Sequence, residues 1–195
     1  MTRSASLSRQ TRETRIELAL DLDNPFEGAI ETGSGFLDHM LDLFRKHGGF
    51  GLSVTCKGDT HIDMHHSAED IAICLGEALH QAAGDKKGIE RYGFYYVTMD
   101  EALARCCLDL SGRMSFVWNA PLPAAKLGNL EAELVPHFFR SVAENAKMNL
   151  HLDLLRGTNS HHCVEALFKA FARALAMAVS PSRRVAGVPS TKGSL

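Results

Sequence analysis

Apolar and polar positions recur along this chain with two different periods, and the period switches several times. From Thr14 to Asp21 the alternation is strict, with Ile16, Leu18 and Leu20 on one face and Arg15, Glu17 and Ala19 on the other, which predicts a half-buried strand. Asp23-Asn24-Pro25 reads as a turn. After Gly33-Ser34-Gly35, residues 36–41 are apolar at helical spacing, and the helix is expected to end at Gly48-Gly49. Residues 51–57 alternate again, with Leu52, Val54 and Cys56 together. A second helix is predicted from His65 to about Ala83. Ile71, Ile73, Leu75, Ala78 and Leu79 form its buried stripe, and Gly84-Asp85 stops it. A Gly-rich basic connector (86–93) leads to strands at Phe94–Met99, Ala102–Leu110 and around Met114–Trp118. Beyond a Pro/Ala loop at 121–128 come a helix from about Val135 to Ala146, an alternating strand at 149–155, and a last helix from His161 to about Val179.

The order strand, helix, strand, helix thus appears twice. In each copy a helix carries a lone histidine, His39 or His137, and a later helix opens with His-His-x-x-Glu. These are His65, His66 and Glu69 in the first copy and His161, His162 and Glu165 in the second. A shift of 96 residues carries the first trio onto the second, and Ala78-Leu79 onto Ala174-Leu175. Asp21 at the end of the first strand has a counterpart in Asp109. Strand-rich halves with paired helices, lacking regular βαβ alternation, indicate an α+β fold. Two small sheets with the helices packed between them are expected, as a single domain over 13–195 made of halves at about 13–90 and 91–180. Residues 1–12 read as a frayed tail.

Composition narrows the function classes. Of 195 residues, 45% are hydrophobic and 23% charged, enough for one filled core. A net charge of −2 with no basic face argues against nucleic acid as a partner. No apolar run reaches ~18 residues, so no membrane helix is expected. The N-terminus carries Arg, Ser and Thr before its first acid, Glu13, and lacks the apolar run of a secretory signal. The five cysteines, Cys56, Cys74, Cys106, Cys107 and Cys163, form no CxxC pair. Cys56, Cys74 and Cys106 sit among apolar neighbours as small core residues, which fits a reducing, cytoplasmic compartment.

The two HHxxE segments point to metal. Residues i and i+4 share a helix face, so His65 with Glu69, and His161 with Glu165, can grip one ion each. The adjacent His66 and His162 are turned away by about 100°. One ion is expected on His65, Glu69, His137 and His162, and a second on His161, Glu165, His39 and His66, with some ligands open to supply by a neighbouring subunit. A single histidine at a helix start is ordinarily a cap or a core residue. Two vicinal pairs, each with an i+4 carboxylate and a matched upstream histidine, would be costly to bury without a use. Three nitrogens and a carboxylate suit Mn, Fe, Co or Zn, and the lack of thiolate argues against structural zinc. Arg91, Arg113 and Lys192 follow turns and could clamp a phosphate. By pattern alone, surface solubility explains them more readily.

At these residues the chain closely resembles the imidazoleglycerol-phosphate dehydratase family. The matching stretches are 12–23, 35–48, HIDMHHSAEDIAICLGEAL (61–79), GIERYG (88–93), 99–113, PHFFRS (136–141), GTNSHHCVEALFKAFARAL (157–175) and PSTKG (189–193). They run in order over nearly the whole chain. Ser160 stands where the family often has Asp, and Ala68 where it often has Val; neither change removes a ligand. The resemblance implies a ribosomal protein S5 domain 2-like fold, two Mn2+ per active site, and a homo-oligomer of 24 subunits with active sites between subunits. It implies phosphate binding by Arg91, Arg113, Ser190 and Lys192, the last two in a C-terminal substrate-binding tail. It also implies Glu13 as the catalytic acid/base, a residue that pattern alone makes a strand-edge surface acid.

The implied substrate carries an imidazole beside two hydroxyl-bearing carbons and a terminal phosphate. No carbonyl acidifies the C–H that is lost. Two cations on the ring nitrogens would hold the ring as an electron-rich imidazolate able to expel the neighbouring hydroxyl. Glu13 would shuttle the protons, and the enol formed would tautomerise to imidazole-acetol phosphate. Two other readings share the ligands: a di-metal phosphoester hydrolase, which ordinarily uses more carboxylates, and a non-catalytic shell assembled by metal.

Overall fold

A computed structural model describes residues 3–193 and 195. The first half consists of β1 (Ser4–Gln10), β2 (Thr14–Asp21), β3 (Glu27–Glu31), α1 (Gly35–Gly48), β4 (Gly51–Gly58) and α2 (His65–Ala83). The second consists of β5 (Tyr92–Met99), β6 (Ala102–Asp109), β7 (Ser115–Asn119), the short hairpin β8 (Lys126–Leu127) and β9 (Leu130–Glu131), α3 (Leu134–Asn145), β10 (Asn149–Arg156) and α4 (Ser160–Val179). The strand orders are β1-β2-β4-β3 and β5-β6-β10-β7, the same arrangement twice. In each sheet the third strand of the half pairs in parallel with the fourth, with a helix crossing between them, while the other pairs are antiparallel.

A shift of 88 carries 14–21 onto 102–109, and a shift of 98 carries 51–58 onto 149–156. The ten residues of difference lie between β7 and α3, where the second half has gained the β8–β9 hairpin. The α+β fold of two similar halves, expected from the repeat, is therefore present. Residues 4–10 correct the expectation of a frayed tail. They pair with β2 in continuous register from Ser4↔Asp21 to Gln10↔Arg15, so the first half begins at β1. Met1 and Thr2 lie outside the described residues. The inward positions of β1 are Ala5, Leu7 and Arg9, all half-buried, too weak an apolar signal to mark a strand by pattern. β3, with Glu27 and Glu31 at its ends, is hidden for the same reason.

The layers run sheet, helices, helices, sheet. α2 lies on β1 and β2 and against α3; α4 lies on β5 and β6 and against α1. Aromatic rings cement the helical layers: Phe139 of α3 stands 4.6 Å from Phe168 and 5.5 Å from Phe171 of α4, and Phe171 stacks at 5.6 Å on Phe44 of α1. Burying each such ring contributes roughly 2–3 kcal/mol of transfer free energy. Close approach is bought with glycine at two places. A Cβ on Gly93 of β5 would stand 1.8 Å from the Ala174 carbonyl oxygen of α4, and one on Gly76 of α2 would stand 2.7 Å from Asn145 Cβ and the Val142 carbonyl oxygen of α3. Cys74, Cys106 and Cys163 are buried and Cys56 is half-buried, all with free thiols; burial pushes the Cys74 thiol up to about 12. Among the described residues no helix is long and apolar enough to cross a membrane.

Candidate metal centre

At both His-His-x-x-Glu segments a side chain two residues upstream accepts from the first histidine's backbone N–H, as the N-cap Asn159 in α4 and from just before the N-cap Met64 in α2. The Asp63 carboxylate accepts from His65 N at 2.8 Å, and the Asn159 side-chain oxygen accepts from His161 N at 2.9 Å. The first histidine and the glutamate then share a face, one turn apart.

Because α2 packs on α3 and α1 on α4, each lone histidine is delivered to the helix of the opposite half. His65, Glu69 and His137 form one cluster and His39, His161 and Glu165 the other, with the ligand atoms of each within 4.8 Å of one another. In the first, His137 Nε2 lies 3.1 Å from Glu69 Oε1, and the His65 and His137 rings are 4.8 Å apart between centroids. In the second, Glu165 Oε2 lies 3.4 Å from His39 Nε2 and 3.2 Å from His161 Nε2. Phe36 meets the His161 ring edge-on at 5.3 Å. The two clusters differ in support. Glu165 is buried, and its other oxygen accepts from Lys169 Nζ at 2.5 Å. Burial alone would raise the Glu165 carboxyl, but Lys169 and His39 outweigh it and hold the group below the usual range. Glu69 is half-buried and has no such lysine; Ile73 stands at the position equivalent to Lys169.

His66 and His162, expected in the opposite clusters, are in neither. They are turned toward the hairpin ends of their own halves, as the 100° step predicts. His66 Nδ1 pairs with Asp59 Oδ2 at 3.0 Å, and its Nε2 faces Glu13 Oε1 at 3.7 Å. His162 Nδ1 pairs with Glu101 Oε2 at 2.8 Å, and its Nε2 faces Asp100 Oδ2 at 3.8 Å. Each thus has one nitrogen fixed by a carboxylate, the usual way of orienting an imidazole ligand. Asp59 and Glu101 were not singled out by motif. The repeat held the signal for Glu101, because the shift of 88 carries Glu13 onto it.

Arg91, Arg113, Ser190 and Lys192 line one cavity of about 610 Å³. Their roles there differ. The Arg91 guanidinium donates to both Asp109 oxygens, at 2.6 and 3.0 Å, and to the Pro189 carbonyl at 2.7 Å. It therefore anchors the tail segment that forms the cavity wall, and the Arg113 and Lys192 side chains are the cations left for an anion. Glu13, in the turn between β1 and β2, is exposed, and its carboxylate accepts no hydrogen bond among the described residues.

The sequence and the fold both match known proteins. The imidazoleglycerol-phosphate dehydratase family model matches residues 32–175. Proteins named imidazoleglycerol-phosphate dehydratase from Geobacillus kaustophilus and Acetivibrio thermocellus are 54% and 53% identical over 195 residues, covering all of both chains. The crystal structure of imidazoleglycerol-phosphate dehydratase from Staphylococcus aureus superposes with a TM-score of 0.84 at 42% identity, covering 92% of this chain and 99% of that one. The structure of IGPD from Pyrococcus furiosus in complex with (S)-C348 also gives 0.84, at 33% identity, covering 97% of this chain and 100% of that one.

Proposed function

The chain belongs to the imidazoleglycerol-phosphate dehydratase family, and from that membership we propose that it removes water from D-erythro-imidazoleglycerol phosphate to give imidazole-acetol phosphate, with two Mn2+ per active site. Family membership makes it a hydro-lyase of histidine biosynthesis. The observation that carries the finer reading is the pair of two-imidazole, one-carboxylate clusters related by the repeat.

The donor set fits a divalent cation of the manganese to zinc series. His137 Nε2 is buried and makes no hydrogen bond among the described residues, although a carboxylate oxygen stands 3.1 Å away, an arrangement that a cation between them would satisfy. His65, Glu69 and His137 would hold one ion, and His39, His161 and Glu165 the other. His66 and His162 complete the sets of neighbouring copies in an assembly of 24 subunits, which accounts for their being turned away within the chain. Bound cations supply Lewis acidity at the two ring nitrogens of the substrate.

The remaining work belongs to the chain itself. Arg113, Lys192 and Ser190 bind the terminal phosphate, and Arg91 holds the tail in place around it. Contacts so remote from the reacting carbons act by orientation. Glu13 gives a proton to the departing hydroxyl and takes one from the next carbon, leaving an enol that tautomerises to the ketone. A free carboxylate beside His66 supports that role. The setting is cytoplasmic.

The test is turnover of imidazoleglycerol phosphate by manganese-loaded protein, following ketone formation and phosphate release together. Ketone without phosphate release is expected. Phosphate release without ketone would instead mark a hydrolase. Glu13→Gln should lower turnover by about 10²- to 10⁴-fold while keeping metal content and assembly; turnover in neither protein would leave a metal-assembled shell.

A further inference from the structure

Asp70 follows Glu69 on α2 but takes no part in either cluster. It is buried, at 7% exposure, in the seam between α2 and the β1–β2 hairpin. Its Oδ1 accepts from Arg9 Nε at 2.9 Å and its Oδ2 from the Thr14 hydroxyl at 2.5 Å. The Thr14 hydroxyl lies 3.2 Å from that of Thr11, and Thr11 Oγ1 accepts from the backbone N–H of Glu13 at 3.1 Å and of Thr14 at 3.0 Å. On the other side of the turn, the Glu13 carbonyl accepts from Asp59 N at 3.1 Å. A continuous polar chain thus runs from the helix that opens with His65 and His66 to the backbone of Glu13.

The duplicated half is an internal control. The shift of 88 carries Arg9, Thr11 and Thr14 onto Val97, Met99 and Ala102, and the shift of 96 carries Asp70 onto Ala166. All four counterparts are apolar, and Ala102 and Ala166 are fully packed, at 1% and 0% exposure. The second half therefore closes this seam without a carboxylate, with the Lys169 ammonium lying 3.6 Å from Met99 Sδ instead, and a buried carboxylate is costly unless it is paired. The glutamates of the two turns differ in step. Glu101 is fixed by its own side chain: Oε1 accepts from Thr158 N at 3.1 Å and Asn159 N at 2.7 Å, and Oε2 engages His162. Glu13 is fixed only through its backbone, and both of its carboxylate oxygens are left without a hydrogen bond among the described residues. The polar chain occurs in the half whose glutamate must keep its side chain free.

We propose that Asp70, acting through Thr14 and Thr11, is a positioning residue that holds the Glu13 turn against α2 so that the Glu13 carboxylate meets the substrate without serving as its own anchor. Arg9 neutralises the buried Asp70 and belongs to the same device. The inference rests on the role of Glu13 put forward above.

The experiment uses the isosteric pair Thr14→Val, which deletes the hydroxyl, and Thr14→Ser, which keeps it, in metal-loaded full-length protein. Thr14→Val should lower kcat by about 10- to 100-fold, the cost of a sub-ångström to ångström misplacement, with KM, metal content and assembly within about twofold. Thr14→Ser should stay within about threefold of the parent. In the Glu13→Gln background, Thr14→Val should change the residual rate by less than about twofold, since a residue acting only through Glu13 has nothing left to act on. Parental kcat in Thr14→Val, an equal loss in both backgrounds, or a loss that tracks metal content overturns the proposal. Should Thr14→Val fail to assemble, the fourfold transplant Arg9→Val, Thr11→Met, Thr14→Ala and Asp70→Ala copies a packing the second half already uses and is judged by the same criteria. Full activity in Glu13→Gln alone removes the premise; activity lost there but intact in Thr14→Val overturns the positioning role only.

Discussion

The rings of His65 and His137 lie 4.8 Å apart between centroids although they belong to opposite halves of the duplication. Their meeting depends on how closely α2 and α3 run, and Gly76 sits at that contact with no room for a methyl group. Gly76→Ala gains about 1 kcal/mol of intrinsic helix preference but forces a Cβ to within 2.7 Å of Val142 O and Asn145 Cβ, an overpacking cost of about 1–3 kcal/mol. A net loss of stability is expected, together with weaker metal binding at His65, Glu69 and His137 than at the other cluster. Urea unfolding and metal titration check both parts. A variant more stable than the parent would show that the two helices can move apart freely.

Because each cluster draws on both halves, removing one lone histidine should disable one ion and spare the other. His137→Ala and His39→Ala are each expected to lower the metal content by about half on the two-ion reading, measured by elemental analysis after dialysis. The lysine behind Glu165 makes the two losses unequal in difficulty. The His39 cluster keeps a buried, charge-supported carboxylate and should hold its ion against a chelator longer than the His65 cluster. Equal release from both clusters would contradict the asymmetry.

In the phosphate cavity the two arginines should separate by the kind of damage they cause. Arg113 makes no side-chain hydrogen bond among the described residues, whereas Arg91 spans Asp109 and Pro189. Arg113→Gln is expected to raise KM by about 10- to 100-fold, the loss of one charge-assisted contact of roughly 1.5–3 kcal/mol, with no change in melting temperature. Arg91→Gln should raise KM and also free the tail, visible as faster proteolysis beyond Val188. A KM effect from Arg91→Gln with an unchanged tail would make it a direct phosphate ligand.

Much of this was legible in the sequence because the repeat writes the same chemistry twice. The strands with Ile16, Leu18 and Leu20 or with Leu150 and Leu152, and the four long helices, follow directly from periodicity. The ligand groupings around Glu69 and Glu165 follow from i, i+4 geometry together with the matched histidines. What stayed hidden was carried by weak or non-local signals. β1 turns only Ala5, Leu7 and Arg9 inward, and β3 is charged at its ends. The pairing of His66 with Asp59, and of His162 with Glu101, brings loops onto helix starts, which no local pattern encodes. Asp70 is tied to Arg9 of β1 and Thr14 of β2, partners that the periodicity of α2 does not reveal.

The His80 ring should make the fold lose stability in acid. His80, near the end of α2, has a buried Nδ1 without a hydrogen-bond partner among the described residues. Burial, then Lys86 and Lys147, hold its pKa below the ordinary 6.5. The folded chain therefore refuses a proton that the unfolded chain accepts near 6.5. Below that pH the unfolded state binds more protons, so stability falls as pH drops through 6.5 and is fully present above it. His47 shifts in the same direction, by burial and then by Lys169 and Arg173, and adds to the slope. The carboxylates of Asp21 and Asp23 are lowered from 3.8 by turn N–H groups and by Arg3 respectively, so their contribution fails only in a separate, more acidic window. His66 and His162, held above 6.5 by Asp59 and Glu101 respectively, act in the opposite direction, so the check is a comparison of variants: in metal-free protein the parent should lose more stability than His80→Asn between pH 7.5 and pH 5.5. The difference should be on the order of a few tenths of a kcal/mol given solvent screening of a partly exposed ring. An unchanged pH slope in His80→Asn would show that the ring takes up its proton in the folded state as readily as in the unfolded one.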